Sequence, residues 1–139
     1  MISFHTIAEL VHLADEKHVP IHDVVLAREQ HDTQRTRAAI LADMARNWDV
    51  MKASVRSGIE HEAHSASGLT GGDAQRLYTH RTGGYLGEAA LRTAAYAVGV
   101  SEVNATMGRI VACPTAGSGG ILPAVLYAAQ EQRGYTDDA

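Results

Sequence analysis

The sequence has 139 residues, 45% of them hydrophobic, and a formal net charge of −4. This length suffices for one domain with its own core. The net negative charge does not indicate a nucleic-acid-binding surface. The sequence contains no run of about 18 apolar residues, so no membrane span is predicted. Aromatic residues are only 5%, so the core must be built mainly from aliphatic side chains and alanine. That composition favours closely packed helices over a β-sandwich.

Two further features concern cellular location and thiol chemistry. The first five residues have neither the basic nor the apolar segment of a signal peptide, so we expect a cytoplasmic protein. Cys113 is the single cysteine, which excludes an internal disulfide. A lone cysteine in an apolar context usually acts as a small buried hydrophobic residue.

The first third of the sequence predicts two short helices. Thr6 followed by Glu9 has the form of a capping box, and apolar residues then recur at the spacing of one helix face. Pro20 is expected to end this helix, because proline lacks the amide hydrogen that a helix interior needs. A second helix begins near Ile21 and ends in the polar segment 31–34.

A long third helix follows. Its apolar residues step by three and four and indicate a buried stripe, made of Leu41, Met44, Trp48, Met51 and Val55. Gly58 is expected to end this helix in a left-handed C-cap. The next polar segment contains His61 and His64, which lie one residue too close together for a zinc-protease motif. We expect exposed loop residues there, with a structural metal as the alternative.

The second half predicts three more helices separated by Gly-rich loops. After the turn Ser67–Gly72, Thr70 and Asp73 suit the cap of a helix that extends through Tyr78. A loop over 82–87 precedes a long helix from Glu88 to about Met107, whose many alanines predict a buried central position. A last helix has Pro123 in its first turn and is closed by Gly134. No segment alternates with a period of two, so we predict an all-α helical bundle and one domain over residues 1–139.

The loop Pro114–Gly120 has two readings from its residues alone. Its three glycines leave the main-chain N–H groups near the start of the last helix uncovered, above all those of Gly119, Gly120 and Ile121. Free N–H groups at a helix N-terminus form an anion site. The alternative is a tight turn that uses glycine only for its backbone freedom. A Walker loop or a pyridoxal site is disfavoured, because no lysine accompanies the loop.

Two sequence blocks carry a family resemblance. Residues 102–123 read EVNATMGRIVACPTAGSGGILP, and residues 67–74 read SGLTGGDA. Both resemble the α subunit, or catalytic domain, of the iron–sulfur-dependent L-serine dehydratases, and the segment 7–26 is similar to the start of that subunit. The resemblance therefore covers nearly the whole sequence.

The resemblance implies a function, a cofactor and partners. It implies the N-terminal part of a subunit that takes part in converting L-serine to pyruvate and ammonia. The complete enzyme would hold a 4Fe–4S cluster whose cysteine ligands lie outside this chain. With one cysteine, this chain alone is expected to bind no cluster and to be inactive. The implied partners are the rest of the α subunit and a β subunit or domain, and a homo-oligomer is left open.

The residues that would contact the substrate come from the same two blocks. The loop suits the carboxylate of serine, and the turn Ser67–Gly72 suits a second wall. Asn104 either hydrogen-bonds the substrate or caps a helix turn, and Asp73 either caps a helix or acts as a base. A non-catalytic helical interaction domain is the alternative function. The predicted substrate-binding residues are Ser67, Gly68, Thr70, Gly71, Asn104, Pro114, Thr115, Ala116, Gly117, Ser118 and Gly119.

Overall fold

A computed structural model describes residues 3–82 and 85–137, and these residues contain six helices. They are α1 (Ile7–Lys17), α2 (Ile21–Thr33), α3 (Arg37–Glu60), α4 (Asp73–Thr79), α5 (Glu88–Ala105) and α6 (Ile121–Arg133). Within these two ranges no strand is present, and one isolated antiparallel bridge joins His64 to Gly71. The prediction of an all-α fold is therefore confirmed. None of the described helices is long and apolar enough to cross a membrane.

Backbone packing divides the chain into two compact units, Met1–Arg46 and Asn47–Ala139, and the boundary falls within α3. In the first unit, the Thr6 hydroxyl accepts a hydrogen bond from the Glu9 N–H at 3.2 Å, as the capping box predicted. The Glu9 carboxylate accepts from the N–H of His5, at 2.7 Å, where a full capping box would bond that of Thr6. Helix α1 ends at Lys17, and Pro20 stands at the N-cap of α2.

Helix α3 does not end at Gly58, so the predicted C-cap is wrong. The helix continues to Glu60, and Gly58 is buried within it. A Cβ placed on Gly58 would overlap the main chain of Gly99 in α5. Gly58 is therefore needed for the close approach of two helix backbones rather than for a left-handed turn. Of the predicted apolar stripe, Met51 and Val55 are buried, whereas Met44 is 59% exposed.

Helix α5 is the centre of the second unit, as its small residues predicted. It packs against both α4 and α6. Tyr96 and Val100 of α5 are fully buried, and the ring of Tyr96 meets that of Tyr127 edge-on at a centroid distance of 5.1 Å. The helix ends at Ala105, slightly before the predicted Met107. The loop predicted over 82–87 is partly described, because Gly83 and Gly84 lie outside the described residues.

Helix α6 matches its prediction closely. Pro123 lies in the first turn, where its missing N–H costs no intrahelical hydrogen bond, and it is fully buried. Gly134 closes the helix with a left-handed backbone at φ 65°. Helices α4, α5 and α6 thus fix the ends of the two Gly-rich segments that carry the motifs.

Candidate functional site

The start of helix α4 is capped by a residue that the sequence analysis did not choose. Gly72 stands at the N-cap position and has no side chain to supply an acceptor. The carboxylate of Glu102, on α5, accepts hydrogen bonds from the N–H groups of Asp73 at 2.8 Å and Ala74 at 3.4 Å. The predicted capping roles of Thr70 and Asp73 are therefore wrong, because a buried carboxylate from another helix takes those donors.

Asp73 instead makes a local ion pair. Its Oδ1 lies 2.5 Å from Nη2 of Arg76, one helix turn further on. Both side chains are more than half exposed to solvent. This hydrogen bond with Asp73 raises the pKa of the Arg76 guanidinium.

The turn Ser67–Gly72 folds back on the segment that follows α3. The N–H of Ser65 donates to the carbonyl of Thr70 at 2.8 Å, which closes the turn. Gly71 has φ 142°, and a Cβ there would collide with the main chain of Ala63 and His64. Ser67 and Gly68 are exposed, Thr70 is half-buried and Gly71 is buried. Ser67 and Gly68 therefore face solvent, whereas Thr70 and Gly71 lie towards the interior of the unit.

The loop before α6 satisfies several of its donors internally. The N–H of Gly119 donates to the carbonyl of Ala116 at 3.2 Å, and the N–H of Ile121 donates to that of Ser118 at 3.3 Å. The predicted free N–H groups of Gly119 and Ile121 are therefore wrong, because tight turns within the loop satisfy them. The Ser118 hydroxyl donates to the carbonyl of Cys113 at 2.9 Å and lies 3.0 Å from the Thr115 hydroxyl.

Two of the loop glycines are packing positions. Gly119 and Gly120 are buried, and a Cβ on either would lie within 2.9 Å of a carbonyl oxygen, that of Val111 or Ala97 respectively. Gly117 differs, because it is exposed and a Cβ there would meet no atom within 4 Å. Gly117 is thus the loop glycine whose open side faces free space.

A cavity of about 260 Å³ lies between the two Gly-rich segments, and Thr70 and Gly117 both line it. The other predicted contact residues do not line it, and Asn104 is exposed with its carbonyl accepting from the N–H of Met107 at 3.1 Å. Helix α5 supplies both apolar and polar lining residues. The complete lining is Thr70, Asp73, Ala97, Val98, Ser101, Glu102, Gly117, Gly120 and Ile121.

Glu102 is the main residue that sequence reasoning missed. Glu102 is only 5% exposed. It lines the cavity, and its carboxylate accepts the hydrogen bonds that cap the start of α4. The only sequence signal for Glu102 was its place as the first residue of the block 102–123. The neighbouring residues do not indicate which groups its carboxylate would bind.

The comparisons with known proteins identify the family. The model of the serine dehydratase alpha chain family matches residues 16–139. The chain belongs to this family. It is 42% identical over 131 residues to the probable L-serine dehydratase, alpha chain, of Bacillus subtilis (strain 168). It is 35% identical over 130 residues to the L-serine dehydratase, alpha chain, of Peptoniphilus asaccharolyticus. The resemblance to the α subunit of an L-serine dehydratase is thus confirmed.

The match covers the chain almost completely but the relatives only in part. It includes 93% and 92% of this chain, and 43% and 44% of the Bacillus and Peptoniphilus alpha chains. The chain therefore spans less than half the length of these relatives. No solved structure matches the chain significantly.

The donor set of the described residues does not fit an iron–sulfur cluster. Such clusters are usually held by several thiolates, and Cys113 is the single cysteine of the sequence. Across residues 3–82 and 85–137, no three side chains of His, Cys, Asp or Glu come together to hold a metal. His64 lies in the exposed segment before α4, with Nε2 at 3.4 Å from Oε1 of Glu62.

Proposed function

We propose that this chain forms the substrate-binding part of an L-serine dehydratase, which converts L-serine to pyruvate and ammonia. One observation carries the proposal: the two blocks that mark the family meet on one cavity, where Thr70 and Gly117 face the same space. Its volume of about 260 Å³ is of the order needed by a small amino acid. The named relatives support this reading over that of a non-catalytic helical interaction domain.

The loop contributes the carboxylate end of the proposed site. Gly117 and Gly120 line the cavity with main chain alone, so polar N–H groups can approach a ligand without interference from a side chain. The positive end of the α6 dipole favours a negative group here by roughly 0.3–1 kcal/mol. Thr115 and Ser118 support the site indirectly, because their hydroxyls hold the loop in shape.

The rest of the lining contributes polar and apolar contacts. Thr70 and Ser101 bring hydroxyl groups to the cavity, and Ala97 and Val98 bring small apolar surfaces. We propose that the hydroxyl of Thr70 hydrogen-bonds the substrate, since the Ser101 hydroxyl already donates to the carbonyl of Ala97 at 3.1 Å. The small apolar residues would limit the size of the substrate side chain.

We propose that the complete enzyme holds an iron–sulfur cluster, which the described residues do not fit. We propose that its ligands lie in another part of the complete enzyme, and that the chain by itself is inactive. Anaerobic incubation of the chain with iron and sulfide tests this point. A stable visible absorption band from the isolated chain would contradict it.

An exposed apolar face on α6 favours contact with another part of the complete enzyme. Ile121, Leu122, Val125 and Leu126 lie on neighbouring turns and are 44–65% exposed. Large contiguous apolar surface usually marks an interaction site. Because the alpha-chain relatives are more than twice as long as the matched segment, we propose that the rest of an alpha chain covers this face. A β subunit would then bind elsewhere.

Substitution of Gly117 tests the proposed function in the complete enzyme. A Cβ at Gly117 would meet no protein atom within 4 Å, so Gly117→Val should leave the fold intact while adding bulk at the cavity that Gly117 lines. KM for L-serine should rise by about tenfold or more, because the side chain occupies substrate volume. Ala112→Val, at an exposed position outside the cavity, is the matched control and should leave KM unchanged. A normal KM for Gly117→Val would mean that L-serine binds elsewhere.

A further inference from the structure

Glu102 is a buried carboxylate with unused acceptor capacity. Its Oε1 accepts from the N–H groups of Asp73 and Ala74, whereas Oε2 has only one long contact, 3.4 Å from the N–H of Ala74. A carboxylate can accept about four hydrogen bonds. Burial makes an incompletely satisfied charge costly, so a further donor near Oε2 would be strongly favoured.

The two acidic residues of the cavity differ in how their charge is compensated. Asp73 is paired with Arg76 at 2.5 Å, and its side chain is 66% exposed. Glu102 is 5% exposed, and no ion pair joins it to a lysine or arginine among the residues described. The two N–H groups of α4 bring only partial positive charges. Glu102 therefore lacks a direct ion-pair partner among the described residues, and the Arg76 guanidinium acts on it only at longer range.

We infer that Glu102 binds the ammonium group of an α-amino acid, and thereby makes the cavity selective for zwitterions. This inference rests on the proposed function, because it places the second charge of the same ligand. The main chain of Gly117 and Gly120 would face the carboxylate, while Glu102 on α5 faces the ammonium group. A charge-assisted hydrogen bond to a buried carboxylate is stronger than a neutral one. A ligand without the ammonium group would leave the Glu102 charge unpaired.

The substitution Glu102→Gln separates the charge from the structural role. The glutamine oxygen can still accept from the N–H of Asp73, so the start of α4 remains capped. In the complete enzyme, L-serine binding should weaken by about ten- to a hundredfold, whereas binding of 3-hydroxypropanoate should change by less than about threefold. Glu60→Gln, an exposed position outside the cavity, is the matched control. Equal weakening of both ligands, or of neither, would overturn the inference.

The unsubstituted enzyme provides a test that does not depend on the folding of a variant. L-serine and 3-hydroxypropanoate differ by the ammonium group, and L-serine should bind about tenfold or more tightly. Equal affinities would overturn the role of Glu102 and leave the cavity proposal standing. Binding of neither ligand would instead remove the proposed function, and the inference with it.

Discussion

Asp137 is a single residue that ties the end of the described chain to helices α3 and α6. Its carboxylate accepts from Trp48 Nε1 at 2.9 Å, from Lys52 Nζ at 2.7 Å and from Gln130 Nε2 at 2.8 Å. The hydrogen bond with Lys52, followed by those with Gln130 and Trp48, holds the pKa of the Asp137 carboxyl well below its usual range. Exposed ion pairs contribute little to stability, but three convergent donors define a fixed geometry.

The lowered pKa of Asp137 predicts a pH-dependent contribution to stability. A group whose pKa is lower in the folded state stabilises the fold above its unfolded pKa, and this contribution is lost as the pH falls below it. An amide in place of the carboxylate does not titrate, so Asp137→Asn should lower Tm at pH 7. The difference from the parent protein should shrink below about pH 4. Thermal unfolding monitored by circular dichroism from pH 7 to pH 3 checks this, with Asp15→Asn as control.

Two outcomes would contradict the Asp137 account. A Tm difference that stays constant down to pH 3 would show that the carboxylate charge has no part in the contact. An equal effect of Asp15→Asn, at an exposed position in α1, would show that any lost negative charge acts in the same way.

Glu102 shows at the same scale why local sequence rules failed. Cap residues are recognised by their position next to a helix, and Thr70 and Asp73 occupy suitable positions by that rule. The actual acceptor is 29 residues away along the chain from Asp73. Only the packing of α4 against α5 brings it there, so no local signal could have identified it.

Among the elements, the crossing of α3 and α5 depends on two glycines. Gly58 and Gly99 are both buried, and each leaves room for the main chain of the other helix. A glycine near the predicted end of a helix has the same local signal whether it terminates the helix or admits a neighbour. Helix α3 was therefore predicted correctly, but its predicted C-terminal end came too early.

The substitution Gly58→Ala tests this crossing. Helix propensity alone predicts a gain of about 1 kcal/mol, because glycine is the poorer helix former. The added methyl group would overlap the main chain of Gly99, and overpacking of this kind costs about 1–3 kcal/mol or more. We expect a net fall in the free energy of unfolding, measured by urea denaturation. Ser57→Ala, at the exposed neighbouring position, should change it by about 0.5 kcal/mol or less. A stabilised Gly58→Ala protein would show that the helices do not approach at this point.

The loops were predicted as loops, but the role of their glycines was only partly predictable. Composition places glycine and proline outside helices, and this gave the correct position of the segment before α6. Whether a glycine is open or packed depends on contacts with other elements. Gly119 and Gly120 are packed against carbonyl oxygens, whereas Gly117 is open. The sequence pattern alone could not separate these cases.

At the scale of the whole molecule, helical spacing predicted the fold class, and the motif blocks predicted the family. Spacing of apolar residues by three and four is a property of each segment, so it can be read without knowledge of the packing. The cavity is a property of the assembled unit. It draws Thr70 from one block and Gly117 and Glu102 from the other, together with residues of α5 that lie outside both blocks.

The central claim is that L-serine binds in the cavity between the two Gly-rich segments. Amide proton–nitrogen correlation spectra of the chain, titrated with L-serine, test it most directly. The account predicts saturable shifts concentrated at Thr70, Asp73, Gly117 and Gly120, which line the cavity, and little change at the exposed Gly68. Saturable shifts confined to residues outside this lining, or no saturable shift at all, would contradict it.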